Sequence, residues 1–220
     1  MFPLSDVIPS RTAPIVTVAL ILINSVIFLY EVTLPQSLLE TFVLRHALIP
    51  AWFSWTSVVT SMFLHGGWMH VISNMLYLWI FGDNVEDRLG HVWYLLFYLA
   101  SGCAAAILQF IISPFSTVPM LGASGAIAGV MGAYFVLYPE SRVLTAVFVL
   151  IFFDLVEIPA IFFLGIWFVM QVLSGVGSLG VPHAGGGVAF WAHIGGFVVG
   201  AVVGMVFRIS GRRRQWEYWY

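Results

Sequence analysis

Gly122-Ala123-Ser124-Gly125-Ala126-Ile127-Ala128-Gly129-Val130-Met131-Gly132-Ala133 is the stretch whose reading decides this chain. A serine between glycines opens a run of small and apolar residues that reads as a membrane helix. Helix starts leave backbone N–H groups unpaired and carry positive partial charge. An acyl-transfer enzyme needs such groups for its oxyanion. The plainer reading is that glycines and a serine pack helices, as small residues do in bilayers. Downstream, Ala192-His193-Ile194-Gly195-Gly196 places a histidine at the start of a second small-residue helix. A serine and a histidine that meet inside a membrane protein could cut peptide bonds there.

Composition gives the class. Of 220 residues, 61% are hydrophobic and 8% charged, and mean hydropathy is +1.00. A soluble domain carries roughly 25% charged residues. The chain reads as a polytopic membrane protein with one membrane-embedded domain over residues 1–220. Cys103 is the single cysteine, so neither an internal disulfide nor a zinc-type cysteine cluster is expected. A net charge of −2 gives no reason to expect a nucleic-acid partner. Met1 to Thr12 lacks the pattern of a signal peptide, so the first apolar segment is expected to be retained.

Six spans are expected at about residues 14–32, 68–81, 92–112, 124–137, 158–173 and 188–209, each weighed against the ~20 residues a bilayer needs. The fold class is an all-α six-helix membrane bundle. Thr33 to Leu64 is aromatic and interrupted by prolines, and is expected to sit partly embedded at the surface. Gly82 to Arg88 reads as the end of the second span and the loop after it. Val143 to Phe153 reads as an interfacial or re-entrant piece, and Ser174 to Gly187 as a mobile glycine-rich loop. With six spans, Arg11, Arg88, Arg142, Arg208 and Arg212 to Arg214 share one side and Arg45 the other. The positive-inside rule then places both termini in the cytoplasm, and the plasma membrane is the expected location.

Depth follows from that orientation. Ser124 precedes Arg142 by 18 residues, His193 precedes Arg208 by 15, and Asn74 precedes Arg88 by 14. At ~1.5 Å per helical residue, all three lie roughly 20–27 Å above the cytoplasmic rim. Polar side chains in one layer of three apolar helices point to a site. In His65-Gly66-Gly67-Trp68-Met69-His70-Val71-Ile72-Ser73-Asn74, His70 and Asn74 share a helix face. A neutral imidazole and an amide are suitable oxyanion donors. His65, at the helix entry, is expected to be structural. Gly196, Gly200 and Gly204 recur every four residues, and Gly125, Gly129 and Gly132 nearly so, which lets two backbones approach.

These motifs resemble the rhomboid intramembrane serine proteases. His65, His70 and Asn74 match the family's His-x4-His-x3-Asn, Gly122 to Gly125 its Gly-x-Ser-Gly, and His193 with the spaced glycines its last motif. The resemblance runs from about the first span to Gly204. It implies a six-helix fold with a water-filled cavity, Ser124 as nucleophile and His193 as general base. It also implies oxyanion stabilisation by His70, Asn74 and the Ser124 N–H, with Gly122, Gly125, Gly196 and Gly200 in support. No metal and no cofactor are implied. The expected partners are transmembrane protein substrates and the bilayer. Two positions depart from the family pattern. Leu44-Arg45 stands where many members carry Trp-Arg. Ala128 stands where many carry a tyrosine that packs on the catalytic histidine. Asp154 and Glu157 are expected near the cytoplasmic side, roughly 20 Å from Ser124 by the helical rise, so a dyad without a third acid is expected. The alternatives are an inactive rhomboid-like protein that binds membrane clients and, further off, a small transporter.

Overall fold

The computed structural model describes residues 2–149, 152–179 and 189–210, with the side chains of 148, 149 and 152 excepted. Among the described residues, six helices of 14 or more residues form a bundle: α1 (Ile15–Thr33), α4 (Trp68–Leu89), α5 (His91–Ile112), α6 (Ser124–Leu137), α7 (Ala160–Ser178) and α8 (Phe190–Ile209). Two shorter ones, α2 (Gln36–His46) and α3 (Trp55–Thr60), lie between α1 and α4. Helices α1, α5, α7 and α8 are long and apolar enough to cross a membrane. Helix α6 is shorter, and α4 carries Asp83, Glu86, Asp87 and Arg88 in its last two turns. The expected tract Arg212 to Arg214 and most of the glycine-rich loop lie outside the described residues.

Helix α6 is the core of the bundle. Its residues from Ala126 to Tyr134 are all buried, although its sequence has no polar face. It tolerates burial all round because its neighbours approach it through small residues. A Cβ on Gly196 or Gly200 would collide with the carbonyl oxygens of Gly125 and Gly129, and one on Gly132 with that of Phe197. Helices α6 and α8 therefore touch backbone to backbone, where many small dispersion contacts sum over the interface.

Three expectations are corrected. Gly82 to Arg88 is helical, because α4 runs on to Leu89. Its end is reached only at Gly90, whose φ of +83° turns the chain directly into α5. Ser174 to Ser178 belongs to α7, not to a loop. The largest departure is Val143 to Phe153. Instead of a re-entrant piece, β2 (Arg142–Val149) and β3 (Phe152–Pro159) pair antiparallel, with Arg142 opposite Pro159 and Val149 opposite Phe152. The N-terminal segment adds β1 (Phe2–Asp6) beside β2, Asp6 opposite Val143. The physical reason is the period-2 pattern: Val143 and Thr145 are fully buried, whereas Arg142 is exposed. β-branched residues favour that pleated, half-buried setting.

Glu86, Asp6, Tyr134 and Ser141 at this end of the bundle are closely partnered. Glu86 is fully buried and accepts from the N–H groups of Val16 and Thr17 and from Thr17 Oγ1, at 2.7–2.9 Å. It thereby caps the start of α1, where N–H groups lack intrahelical partners. His91 Nδ1 lies 2.6 Å from the other side of this network, at Glu86 Oε1. Tyr134 donates to Asp6 Oδ2 at 2.6 Å and lies 2.8 Å from Ser141 Oγ, tying β1 to α6. Helix α7 starts on the carbonyls of Pro139 and Ser141, which accept from Ile161 and Ala160.

Candidate functional site

The opposite end of the bundle holds the residues singled out by sequence. Ser124 is the first residue of α6, and the turn before it explains its glycine. Gly122 has φ +126°, a left-handed conformation that costs other residues strain. It is also where His70 leans in. A Cβ on Gly122 would sit 2.7 Å from His70 Nε2 and 3.7 Å from Asn74 Nδ2. Gly122 thus serves backbone geometry and leaves space for two side chains of α4 to reach the start of α6.

The turn is held from the other side by the long connection between α1 and α4. Gly122 N–H donates to Ser61 O at 2.8 Å. Leu48 and Met120 exchange two backbone bonds of 2.8–2.9 Å. Thr60 Oγ1 donates to His46 O, which folds the connection on itself. Leu48, Val58 and Met62 are buried against Ala106 of α5. The stretch expected to lie at the surface is thus a brace for Ser124, anchored without a Trp-Arg pair.

His193 lies in the first turn of α8, and its Nε2 is 2.8 Å from Ser124 Oγ. The close α6–α8 packing at Gly125 and Gly196 brings them together. Gly125 also admits α5, since a Cβ there would lie 2.7 Å from that of Ala105. The other imidazole nitrogen, Nδ1, lies 2.8 Å from Gln171 Oε1 on α7. The Trp167 ring, one turn earlier on the same helix, flanks the imidazole with centroids 5.8 Å apart and planes at 37°. Gln171 and Trp167 were missed by sequence reasoning. A signal existed for Gln171: it is an amide inside an apolar span, the same anomaly that marked Asn74.

His70 and Asn74 of α4 lie beside Gly122, two residues before Ser124. His70 Nδ1 accepts from Gly66 N–H at 3.3 Å, so the neutral ring carries its proton on Nε2, the nitrogen beside Gly122. Asn74 is 7% exposed, and its Nδ2 has no hydrogen-bond partner among the described residues. Buried amide donors are rarely left so. The Ser124 N–H, in the first turn of α6, has no intrahelical acceptor. His65 is buried next to His70, with its ring 5.1 Å from that of His70, and its backbone N–H donates to Glu31 Oε2 of α1.

A cavity of about 50 Å³ opens beside Ser124, lined by Ser61, Gly102, Ala105, Met120 and Ala189 among others. That is room for a water molecule. Asp154 and Glu157 lie in β3, at the other end of α6. Fourteen helical residues, about 20 Å, separate that end from Ser124. Among the described residues, no three of His, Cys, Asp and Glu converge as a metal site would require.

Comparison with known proteins agrees with the motifs. The chain is 28% identical over 152 residues to Rhomboid protein 1, mitochondrial, of Saccharomyces cerevisiae, covering 67% of this chain and 40% of that protein. It is 43% identical over 79 residues to the rhomboid protease GluP of Bacillus subtilis, covering 36% of this chain and 15% of that one. RHOMBOID-like protein 1 of Arabidopsis thaliana is 32% identical over 159 residues, covering 72% of this chain and 35% of that one. The matched regions span well under half the length of these relatives. The family model of the rhomboid domain matches residues 53–210, which include Ser124, His193, His70 and Asn74. The chain, a multi-pass helical membrane protein, belongs to the rhomboid family.

Proposed function

We propose that this chain is an intramembrane serine endopeptidase that cleaves transmembrane segments of other membrane proteins. The observation that carries the reading is the 2.8 Å approach of His193 Nε2 to Ser124 Oγ, with the unpartnered Asn74 Nδ2 close to the Gly122 turn that leads into the serine. A nucleophile, a base within hydrogen-bond reach and donors for developing charge are the parts that acyl transfer needs.

The chemistry runs as follows. His193 Nε2 takes the Ser124 proton as Oγ attacks a substrate carbonyl. The oxyanion forms against the Ser124 N–H, His70 Nε2–H and Asn74 Nδ2. The tetrahedral intermediate collapses to an acyl-enzyme, and His193 returns its proton to the leaving amine. A water then repeats the cycle on the ester, its proton going to His193 and on to Ser124. A substrate helix must unwind locally, because its carbonyls are otherwise held in i→i−4 bonds. The site lies at the bundle end away from Arg88, Arg142 and Arg208. With the positive-inside rule, it opens on the side opposite the cytoplasm. No cofactor, metal or nucleic acid takes part.

The test is a cleavage assay with purified protein in detergent and a transmembrane model substrate. Wild type cuts within the segment, and Ser124→Ala and His193→Ala do not. Retention of both groups at 2.8 Å favours this reading over a client-binding protein without activity. Equal cleavage by wild type and Ser124→Ala would overturn it.

A further inference from the structure

We infer that Gln171 is the positioning residue of the His193 base: its Oε1 holds the proton on Nδ1 and so keeps the Nε2 lone pair on Ser124. The inference rests on the protease reading and names a third member of the constellation that the sequence did not reveal.

The argument begins with the two faces of an imidazole. A neutral ring carries one proton, and the nitrogen without it is the only one that can act as base. Ser124 Oγ can donate or accept, so its contact with Nε2 leaves the tautomer open. Nδ1 decides it. Gln171 presents its oxygen to Nδ1 at 2.8 Å. An oxygen accepts only, so Nδ1 carries the proton and Nε2 is free to receive one from Ser124. The opposite flip of the amide would present NH₂, force the proton to Nε2 and leave Ser124 without a base. In serine triads a carboxylate excludes that state, and its replacement by an amide in the wrong orientation costs about 10⁴ in turnover. Here the oxygen does the same work on a neutral group, without placing a charge in the membrane, where it is expensive.

Three further observations fit. Trp167 flanks the imidazole one turn earlier on α7, so one helix face both orients the ring and packs against it. The carboxylates Asp154 and Glu157 lie in β3 at the far end of α6, beyond reach. Ala128, one turn after Ser124 in α6, is buried and carries only a methyl group, with no atom that could hold a ring nitrogen. Support for His193 comes from α7 instead.

The experiment has two arms on purified protein in detergent. First, ¹⁵N-histidine NMR, with His193→Ala used to assign the signal, reads which ring nitrogen of wild-type His193 is protonated. The inference requires a protonated Nδ1. A protonated Nε2 would overturn it, whether or not the chain cleaves anything. Second, Gln171→Leu and Gln171→Glu are compared for kcat and KM on the transmembrane substrate. Leu removes the acceptor; Glu keeps it. Gln171→Leu should lose about 10- to 100-fold in kcat at little-changed KM, part of the about 10²–10⁴ a general base supplies. Gln171→Glu should keep most of it. A packing role alone gives the reverse order, because leucine suits a membrane helix better than glutamate, and that order would overturn the inference. If Ser124→Ala cleaves as well as wild type, the protease reading fails, and the nitrogen assignment still judges Gln171.

Discussion

The two ends of the bundle differ in how far their buried polar groups are partnered. At the end that carries Glu86, four groups satisfy one carboxylate, and Asp6, Tyr134 and Ser141 form a closed chain. At the end that carries Ser124, Asn74 Nδ2 and both ring nitrogens of His65 are buried without partners among the described residues. A satisfied network rigidifies a fold, whereas an unsatisfied one costs stability. The difference separates a strut from a site. At the first end Glu86 is fully partnered and Asn84 Oδ1 is left without a partner among the described residues, whereas at the second end the unpartnered Asn74 Nδ2 is a donor close to the turn that carries Ser124.

If the contrast is right, substitutions at the two ends must fail in different currencies. The largest effect is expected at His193. His193→Ala should lose at least about 10³-fold in cleavage, within the range of a general base, while its unfolding temperature in detergent stays near wild type. Loss of folding in parallel would make His193 part of the strut. Next come the donors. Asn74→Ala and His70→Ala should each lose about 10²–10³ in kcat, as for one oxyanion donor. Asn74→Ala should not lower stability, because it removes an unpaired buried group. Unchanged kcat in both variants would remove α4 from the site.

The third variant reverses the pattern. Glu86→Ala should destabilise by roughly 2–4 kcal/mol, since it strands the first N–H groups of α1. The folded fraction should keep its turnover, measured by chemical denaturation beside active-site titration. Full stability would show that the α1 cap is dispensable. The smallest effect is a pH dependence. Burial, opposed in part by the Tyr134 hydrogen bond, pushes Asp6 up from 3.8 to about 6. A raised folded-state value favours the protonated form. Its contribution is therefore fully present below about pH 4 and is lost as pH rises through about 6. Asp6→Asn should flatten the stability profile between those values. An unchanged profile would place the titration elsewhere.

What the sequence disclosed follows the same division. Ser124, His193, His70 and Asn74 were legible because polar residues in apolar helices are costly and stand out. The glycines of α6 and α8 were legible because their spacing matches the helix. Gln171 showed the same anomaly but lay in no motif, and only the fold brings α7 against His193. The charged residues from Asp83 to Arg88 misled in the opposite direction. They read as a loop, yet Glu86 is fully buried, because α1 supplies donors that no local pattern reveals. Val143 to Phe153 was ambiguous for a related reason. A short apolar run does not distinguish a strand from an embedded helix, and β2 is completed by β1, more than 130 residues away in sequence.

The claim that the unsatisfied end is the reactive one is tested most directly by covalent labelling. A fluorophosphonate probe applied to the intact protein in detergent, followed by peptide mapping, reads where an activated serine lies. The account predicts an adduct on Ser124 alone, absent in Ser124→Ala and at most faint in His193→Ala. No adduct on Ser124 in folded protein, or equal labelling when His193 is removed, would contradict it.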